Sequence, residues 1–162
     1  SEGSDAQVSS AIRAAAGEYY PVLFAQADDA SLESVARILV DQMKAARFVS
    51  YEACVKLLAG QLDIVRVLPK QHFEREQAWL MKALASESKG IKRRQKRVVE
   101  NAVMAVVSKM LPAFVDVVTN PAKYQDQPAL RCDATVAMFD AALSMPSNQR
   151  AAALEGLLKS GT

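Results

Sequence analysis

The sequence predicts an all-α protein, a bundle or short solenoid-like stack of about six to seven mostly antiparallel helices. Alanine occurs 28 times among the 162 residues, while aromatic residues make up only 6% of the chain. Alanine has the highest helix propensity, and small side chains favour close packing of helices on helices. The length fits a single helical domain over residues 1–162, either as a whole protein or as a module of a longer chain.

An alanine-rich start and a pair of aspartates predict the first two helices. We expect the first helix over residues 5–19, ending before Pro21, because proline lacks a backbone donor and restricts the residue before it. Asp28 and Asp29 can cap a second helix by accepting hydrogen bonds from its free N–H groups. Apolar residues at three- and four-residue spacing carry that helix to about Ala46.

The next predicted elements are shorter. After a connection over residues 47–49, Ser50 is a plausible cap for a third helix. The apolar segment 61–68 is too short for its periodicity to separate helix from strand, and we favour a helical turn or two because no partner strand is evident. Pro69 fits the first turn of a further helix. Its predicted apolar face, with Trp79 beside it, comprises Phe73, Leu80, Ala83 and Leu84.

The longest periodic segment, residues 91–119, has only a narrow stripe of polar side chains. This pattern predicts a helix that is buried around most of its circumference and lies at the centre of the protein. Pro112 predicts a kink or a break within it. Pro128 then opens a helix to Leu143, and a last helix runs to about Leu158.

Two parts of the chain share a coarse pattern of helix, short turn and helix. They span Ser31 to Leu58 and Ala129 to Leu158. Such short links place the two helices of each unit antiparallel and side by side. Two units are too few to indicate a repeat family.

The two cysteines, Cys54 and Cys132, each lie among apolar residues in predicted helices. Free cysteine is one of the most buried residue types, so we interpret both as core thiols, while a disulfide between them is the alternative. Free thiols favour a reducing, intracellular compartment, cytoplasmic or nuclear. No apolar stretch approaches the roughly 20 residues that a membrane span needs, so we expect a soluble protein.

Few residues have the pattern of a catalytic or metal site. His72 is the single histidine, and nothing in the sequence places a cysteine or serine nucleophile beside it. His72 and Glu76 have a spacing that suits two metal ligands, but this pair is common by chance and lacks a third ligand. The six glycines are scattered singly and form no phosphate-binding loop. We therefore predict a non-enzymatic protein with no catalytic residues, metal or cofactor.

The most unusual feature is a basic cluster of six positive charges within nine residues. Without these six, the remaining fourteen basic residues face eighteen acids, so the rest of the chain is net negative. The cluster can be a solvated helix start, a surface for an acidic protein partner or a nuclear-import stretch, or a binding site for nucleic-acid phosphates. An anionic membrane surface is a weaker alternative, because no strongly apolar aromatic face accompanies the charges. The cluster comprises Lys89, Lys92, Arg93, Arg94, Lys96 and Arg97.

The densest aromatic stretch contains Tyr19, Tyr20 and Phe24. We favour these rings as part of the core where the first helix meets the second, and a partner-binding anchor is the alternative. Together, these observations predict a helical adaptor or scaffold domain that binds another protein, one with an acidic surface if the basic cluster is used. The alternative function is nucleic-acid binding through residues 89–97.

Overall fold

The computed structural model describes residues 19–86 and 94–160, and all regular structure in these ranges is helical. This confirms the predicted all-α bundle. The described ranges hold nine α-helical segments, more than the predicted six to seven, because one is a single turn and a proline divides a long helix in two. They are α1 (residues 19–26), α2 (Asp29–Val49), α3 (Tyr51–Leu58), α4 (Ile64–Val67), α5 (Lys70–Ser86), α6 (Lys96–Lys109), α7 (Pro112–Thr119), α8 (Pro128–Leu143) and α9 (Ser147–Ser160), with a 3-10 turn at Pro121–Tyr124.

The central helix is α2, which packs against α3, α5, α8 and α9. Its buried side chains are distributed around much of its circumference: Leu32, Val35, Ala36, Ile38, Val40, Gln42, Met43 and Ala46. The central position predicted for residues 91–119 is wrong. In α6 only Ala102 and Val106 are fully buried, and Met104 is 66% exposed. The apolar side chains of α6 therefore cover one side of the bundle instead of filling its centre.

Side-chain caps set the starts of α2 and α3, as predicted. Asp28 accepts a hydrogen bond from the backbone N–H of Ser31 at 2.8 Å, and Ser50 accepts one from Ala53 at 3.0 Å. The expected end of α2 near Ala46 is three residues too early, because the helix continues to Val49. A single extended residue, Ser50, separates the two helices and turns the chain.

Of the helix predicted over residues 5–19, all but Tyr19 lies outside the described residues. The expected end before Pro21 is wrong, since residues 19–26 are helical. Pro21 is the third residue of the described part of α1, and a proline is tolerated in the first turn of a helix. Leu23 and Phe24, which follow it, are buried in the core. The ring of Phe24 stacks on Tyr20 at 5.5 Å and packs against Trp79 at 5.9 Å between centroids. Phe24 is therefore part of the core, as expected, but its ring and that of Tyr20 pack against α5. Tyr19 is exposed, contrary to that interpretation.

Trp79 is the one fully buried residue of α5. Its indole N–H donates to the backbone carbonyl of Ser31 at 2.9 Å, which joins α5 to the first turn of α2. The predicted apolar face of this helix is partly wrong, because Leu84 is exposed while Leu80 and Ala83 are half-buried. The sequence pattern placed Trp79 beside the apolar face of α5, but in the structure Trp79 lies at the centre of that face.

The predicted break at Pro112 is confirmed. Helix α6 ends at Lys109, Met110 and Leu111 are extended, and α7 begins at Pro112. Proline fits the first position of a helix, where its missing N–H would have no helical partner. The segment 61–68 likewise forms the expected helical turn, α4.

A disulfide joins the two helix pairs that the sequence pattern predicts, α2 with α3 and α8 with α9. Cys54 in α3 and Cys132 in α8 are bonded, with 5.9 Å between their Cα atoms, and both are completely buried. The interpretation of both as free thiols is therefore wrong. The two cysteines lie 78 residues apart, and closing a loop of that length stabilises a fold by roughly 4 kcal/mol in the chain-entropy account.

Helix α9 approaches α6 closely at Gly156. A Cβ atom at this position would overlap the Cγ2 methyl of Val103 and lie 3.0 Å from Cγ1 of Val99. Both neighbours are β-branched, so their side chains have few alternative rotamers. The absence of a side chain at Gly156 therefore sets the distance between the two helices.

We expect Gly156→Ala to lower the free energy of unfolding by about 1–2 kcal/mol, because the overpacking cost exceeds the helix-propensity gain of alanine. Urea unfolding followed by circular dichroism measures this change. The control is Gly156→Ala combined with Val103→Ala, which removes the overlapping methyl and should recover part of the loss. A stabilised Gly156→Ala single variant would contradict the close approach.

Candidate functional site

The structure describes half of the predicted basic cluster. Lys89, Lys92 and Arg93 lie outside the described residues. Lys96 and Arg97 are exposed at the start of α6, and Lys96 forms an ion pair with Glu100 at 3.8 Å. These two cations remain candidates for an electrostatic interaction with a partner.

Arg94, in contrast, points into the protein. Its side chain is only 16% exposed, and both terminal nitrogens donate to the carbonyl oxygen of Ala27 at 3.2 Å. The guanidinium also pairs with Asp29 at 2.5 Å and with Glu155 at 3.4 Å. Arg94 thereby joins the start of α2 to α9, and its charge is used within the fold.

Glu155 explains why Arg94 turns inward. This carboxylate lies on α9 and is almost completely buried. A buried carboxylate without a partner costs several kcal/mol, so the ion pair with Arg94 is a condition of burying α9 here. Arg94 is therefore part of the architecture, and a charge change there would alter stability together with any binding.

We expect Arg94→Met to lower the free energy of unfolding by about 2–4 kcal/mol, because Glu155 would be left buried without its ion pair. Arg97→Met, which removes an exposed charge three residues away, should change it by less than about 0.5 kcal/mol. Urea denaturation of the two variants beside the wild type provides the comparison. Adding Glu155→Leu to Arg94→Met should recover stability, and equal behaviour of the two single variants would show that Glu155 does not need Arg94.

His72, the single histidine of the chain, contributes to the packing of α5 on α2. The backbone carbonyl of His72 accepts a hydrogen bond from the side-chain amide of Gln42 at 3.3 Å. Its ring atom Nδ1 is buried without a hydrogen-bond partner in the described part of the chain. Within those same ranges, no group of three or more histidine, cysteine, aspartate or glutamate side chains is placed to hold a metal ion.

Two carboxylates have a lowered pKa because of hydrogen bonds that stabilise their charged form. The hydrogen bond from Arg37 lowers the pKa of Glu33, and Arg150 at 3.0 Å adds to the effect. The Tyr124 hydroxyl lowers the pKa of Asp116, and the same contact raises the pKa of Tyr124. Glu33 joins α2 to α9, and Asp116 joins α7 to the 3-10 turn. These carboxylates hold surface elements together.

The most exposed aromatic side chain of the described residues is Phe48, at 93%. Val49 and Tyr51 beside it are 56% and 40% exposed. We call these three residues the aromatic corner, since they surround the single-residue turn between α2 and α3. The sequence pattern did not predict this corner, because residues 47–49 read as a connection between helices, and only the apolar character of Phe48 and Val49 next to the Ser50 cap indicates it.

The predicted aromatic anchor is less accessible. Tyr19 is exposed, but Tyr20 is half-buried and Phe24 is buried. Of the exposed aromatic side chains, those of the aromatic corner lie beside an ion pair between Arg47 of α2 and Asp133 of α8, 3.0 Å apart. This ion pair joins the end of α2 to α8 next to the aromatic corner.

A cleft of about 950 Å³ lies along the middle of α2, where Val35, Ile38, Leu39 and Gln42 line it. Its walls come from α1, α2, α3, α7, α8 and α9 together with the link between α3 and α4, while α4, α5 and the 3-10 turn each contribute one residue, and the lining is more apolar than polar. His72 does not line this cleft. Among the charged side chains that do line it is Arg131 of α8.

No protein-family model matches the chain, and no curated protein or solved structure is significantly similar to it. Within the described ranges, none of the helices combines the length and apolar character required to cross a lipid bilayer.

Proposed function

We propose that this chain is a non-enzymatic helical domain that binds another protein through the aromatic corner. The observation that carries the proposal is the 93% exposure of Phe48 beside exposed Val49 and Tyr51. Removing a phenylalanine side chain from water is worth about 1.5–3 kcal/mol, and aromatic side chains are enriched among the residues that dominate binding energy.

Preorganisation of the corner supports this function. Phe48 and Val49 belong to the last turn of α2, and Tyr51 begins α3 directly after the Ser50 cap. The disulfide at Cys54 holds α3 against α8. A partner would therefore meet a fixed apolar surface and would not have to order a loop, which reduces the entropic cost of association.

The partner that suits this corner has an apolar pocket for the ring of Phe48. Lys96 and Arg97 are exposed on α6 close to Arg94, which pairs with Asp29 at the start of α2, whereas the corner lies at the other end of that helix. An acidic region on the partner would have to extend roughly 30 Å along α2 to complement these two cations as well. Such charge complementarity acts mainly on the association rate and on specificity, while the apolar anchor supplies most of the affinity.

We expect Phe48→Asp to abolish capture of a protein partner from extracts of the native cells, because a charged side chain cannot enter an apolar pocket. Met104→Asp is the matched control, since Met104 is 66% exposed on α6. With the purified partner, Phe48→Ala should weaken the dissociation constant about 30-fold, the size typical of a dominant interface residue. Calorimetric titration measures the affinity, and circular dichroism confirms that both aspartate variants fold.

Equal capture by wild type, Phe48→Asp and Met104→Asp would overturn this proposal. The nucleic-acid alternative predicts a different pattern: recovery that is nuclease-sensitive, strongly salt-dependent and lost in Lys96→Glu with Arg97→Glu. These two positions are the appropriate ones to reverse, since Arg94 is committed to its internal ion pairs.

We further propose that the chain works in an oxidising compartment. The preference for an intracellular location rested on free thiols, and the Cys54–Cys132 disulfide removes that basis. Structural disulfides form and persist mainly in secreted, periplasmic and other extracytoplasmic proteins.

Protein purified from its native cells with acid quenching should show no free thiol. Alkylation with iodoacetamide in denaturant should leave Cys54 and Cys132 unmodified, and both should react after reduction. Peptide mass spectrometry distinguishes the two states at each cysteine. Alkylation of both residues without reductant would place the native protein in a reducing compartment.

A further inference from the structure

The cleft beside α2 has the size and lining of a binding site for a small apolar molecule. Its volume of about 950 Å³ falls within the range of ligand pockets, roughly 300–1,000 Å³. Its walls are more apolar than polar, and the cleft extends from α1 to the end of α9. Apolar lining residues include Val35, Ile38, Leu39, Leu58, Val118 and Met138.

Arg131 is the polar feature that specifies the ligand. It lies in the first turns of α8, lines the cleft and is partly buried. Its guanidinium forms no hydrogen bond or ion pair with any residue in the described ranges, whereas Arg37, Arg47, Arg66, Arg75, Arg94 and Arg150 all do. A partly buried cation without a partner is electrostatically complementary to an anion.

Two acids also line the cleft, and neither neutralises Arg131. Asp63 forms an ion pair with Arg66 at 3.7 Å. Glu76 lies on α5 and takes part in an interaction of its own, and in the described ranges no ion pair joins it to Arg131. The guanidinium therefore remains available for a ligand.

We infer that the cleft binds a long-chain carboxylic acid, with the alkyl chain along the apolar walls and the carboxylate on Arg131. Arginine presents a planar fork of donors that matches a carboxylate with two parallel hydrogen bonds. The side chain of Thr135 lines the cleft one turn along α8, but its hydroxyl donates to the Arg131 carbonyl at 2.8 Å. Recognition of the head group thus falls to the guanidinium.

The test uses the full chain, freed of bound lipid by extraction, and two probes that differ only in the head group. Isothermal titration with dodecanoate below its micelle concentration should show saturable binding of one equivalent. Dodecanol should bind about ten-fold more weakly or worse, because it cannot form the charge-assisted pair. Lack of saturable dodecanoate binding would overturn the proposal.

Arg131→Gln should weaken dodecanoate binding about ten-fold or more and leave dodecanol binding unchanged. The matched control is Arg97→Gln, which removes an exposed arginine of α6 outside the cleft and should not affect either probe. Equal affinity of wild type and Arg131→Gln for dodecanoate would overturn the assigned role, as would a parallel loss of both probes. Urea unfolding of the variant verifies its fold.

A second variant tests the location independently of charge. Met138→Trp places a larger side chain in the apolar wall and should abolish binding of both probes in a protein that unfolds cooperatively. Unchanged binding in this variant would place the ligand elsewhere and overturn the proposal. Phe48→Asp should bind dodecanoate like the wild type, because Phe48 does not line the cleft. The cleft and the aromatic corner are therefore tested independently of each other.

Discussion

The burial of α2 is the constraint on which the rest of the structure depends. This helix of 21 residues contacts α3, α5, α8 and α9, and its buried side chains face all of them. One of them, Gln42, is polar and hydrogen-bonds the His72 carbonyl, so the register of α5 on α2 is fixed by a bond as well as by packing. Polar contacts also anchor its ends, with Arg94 on Asp29 at the start and Arg47 on Asp133 near the finish. The aromatic corner lies where α2 ends, and the cleft lies along its side.

Features that depend on a few adjacent residues could be predicted from the sequence. Asp28 and Ser50 cap helices because their short acceptors reach the N–H groups three residues on. Pro112 divides the long apolar segment for an equally local reason. The expected break at Pro21 is wrong, since residues 19–26 are helical and Leu23 and Phe24 pack into the core against distant parts of the chain. A local rule therefore holds where nothing distant opposes it.

Features that depend on distant residues could not be predicted. The segment 91–119 is rich in valine, alanine and methionine, but this pattern does not specify which neighbours will cover it, and Met104 is exposed. The partners of Arg94 and of Cys54 lie 61 and 78 residues away along the chain. Of the candidate site, the sequence indicated the cations Lys96 and Arg97 but neither the aromatic corner nor the cleft. The six positive charges within residues 89–97 suggested one continuous basic surface. Arg94, however, points into the protein and pairs with the buried Glu155.

The disulfide connects the two proposed binding regions through α3. A helix of eight residues is too short to be stable alone, so α3 depends on the Ser50 cap, its packing and its bond to α8. Tyr51 of the aromatic corner begins this helix, and Leu57 and Leu58 of the cleft end it. On α8, Arg131 directly precedes Cys132, so the same bond fixes the helix that presents the guanidinium. The geometry of both regions therefore depends in part on one covalent link, and this dependence supports the proposal that the protein works where the link persists.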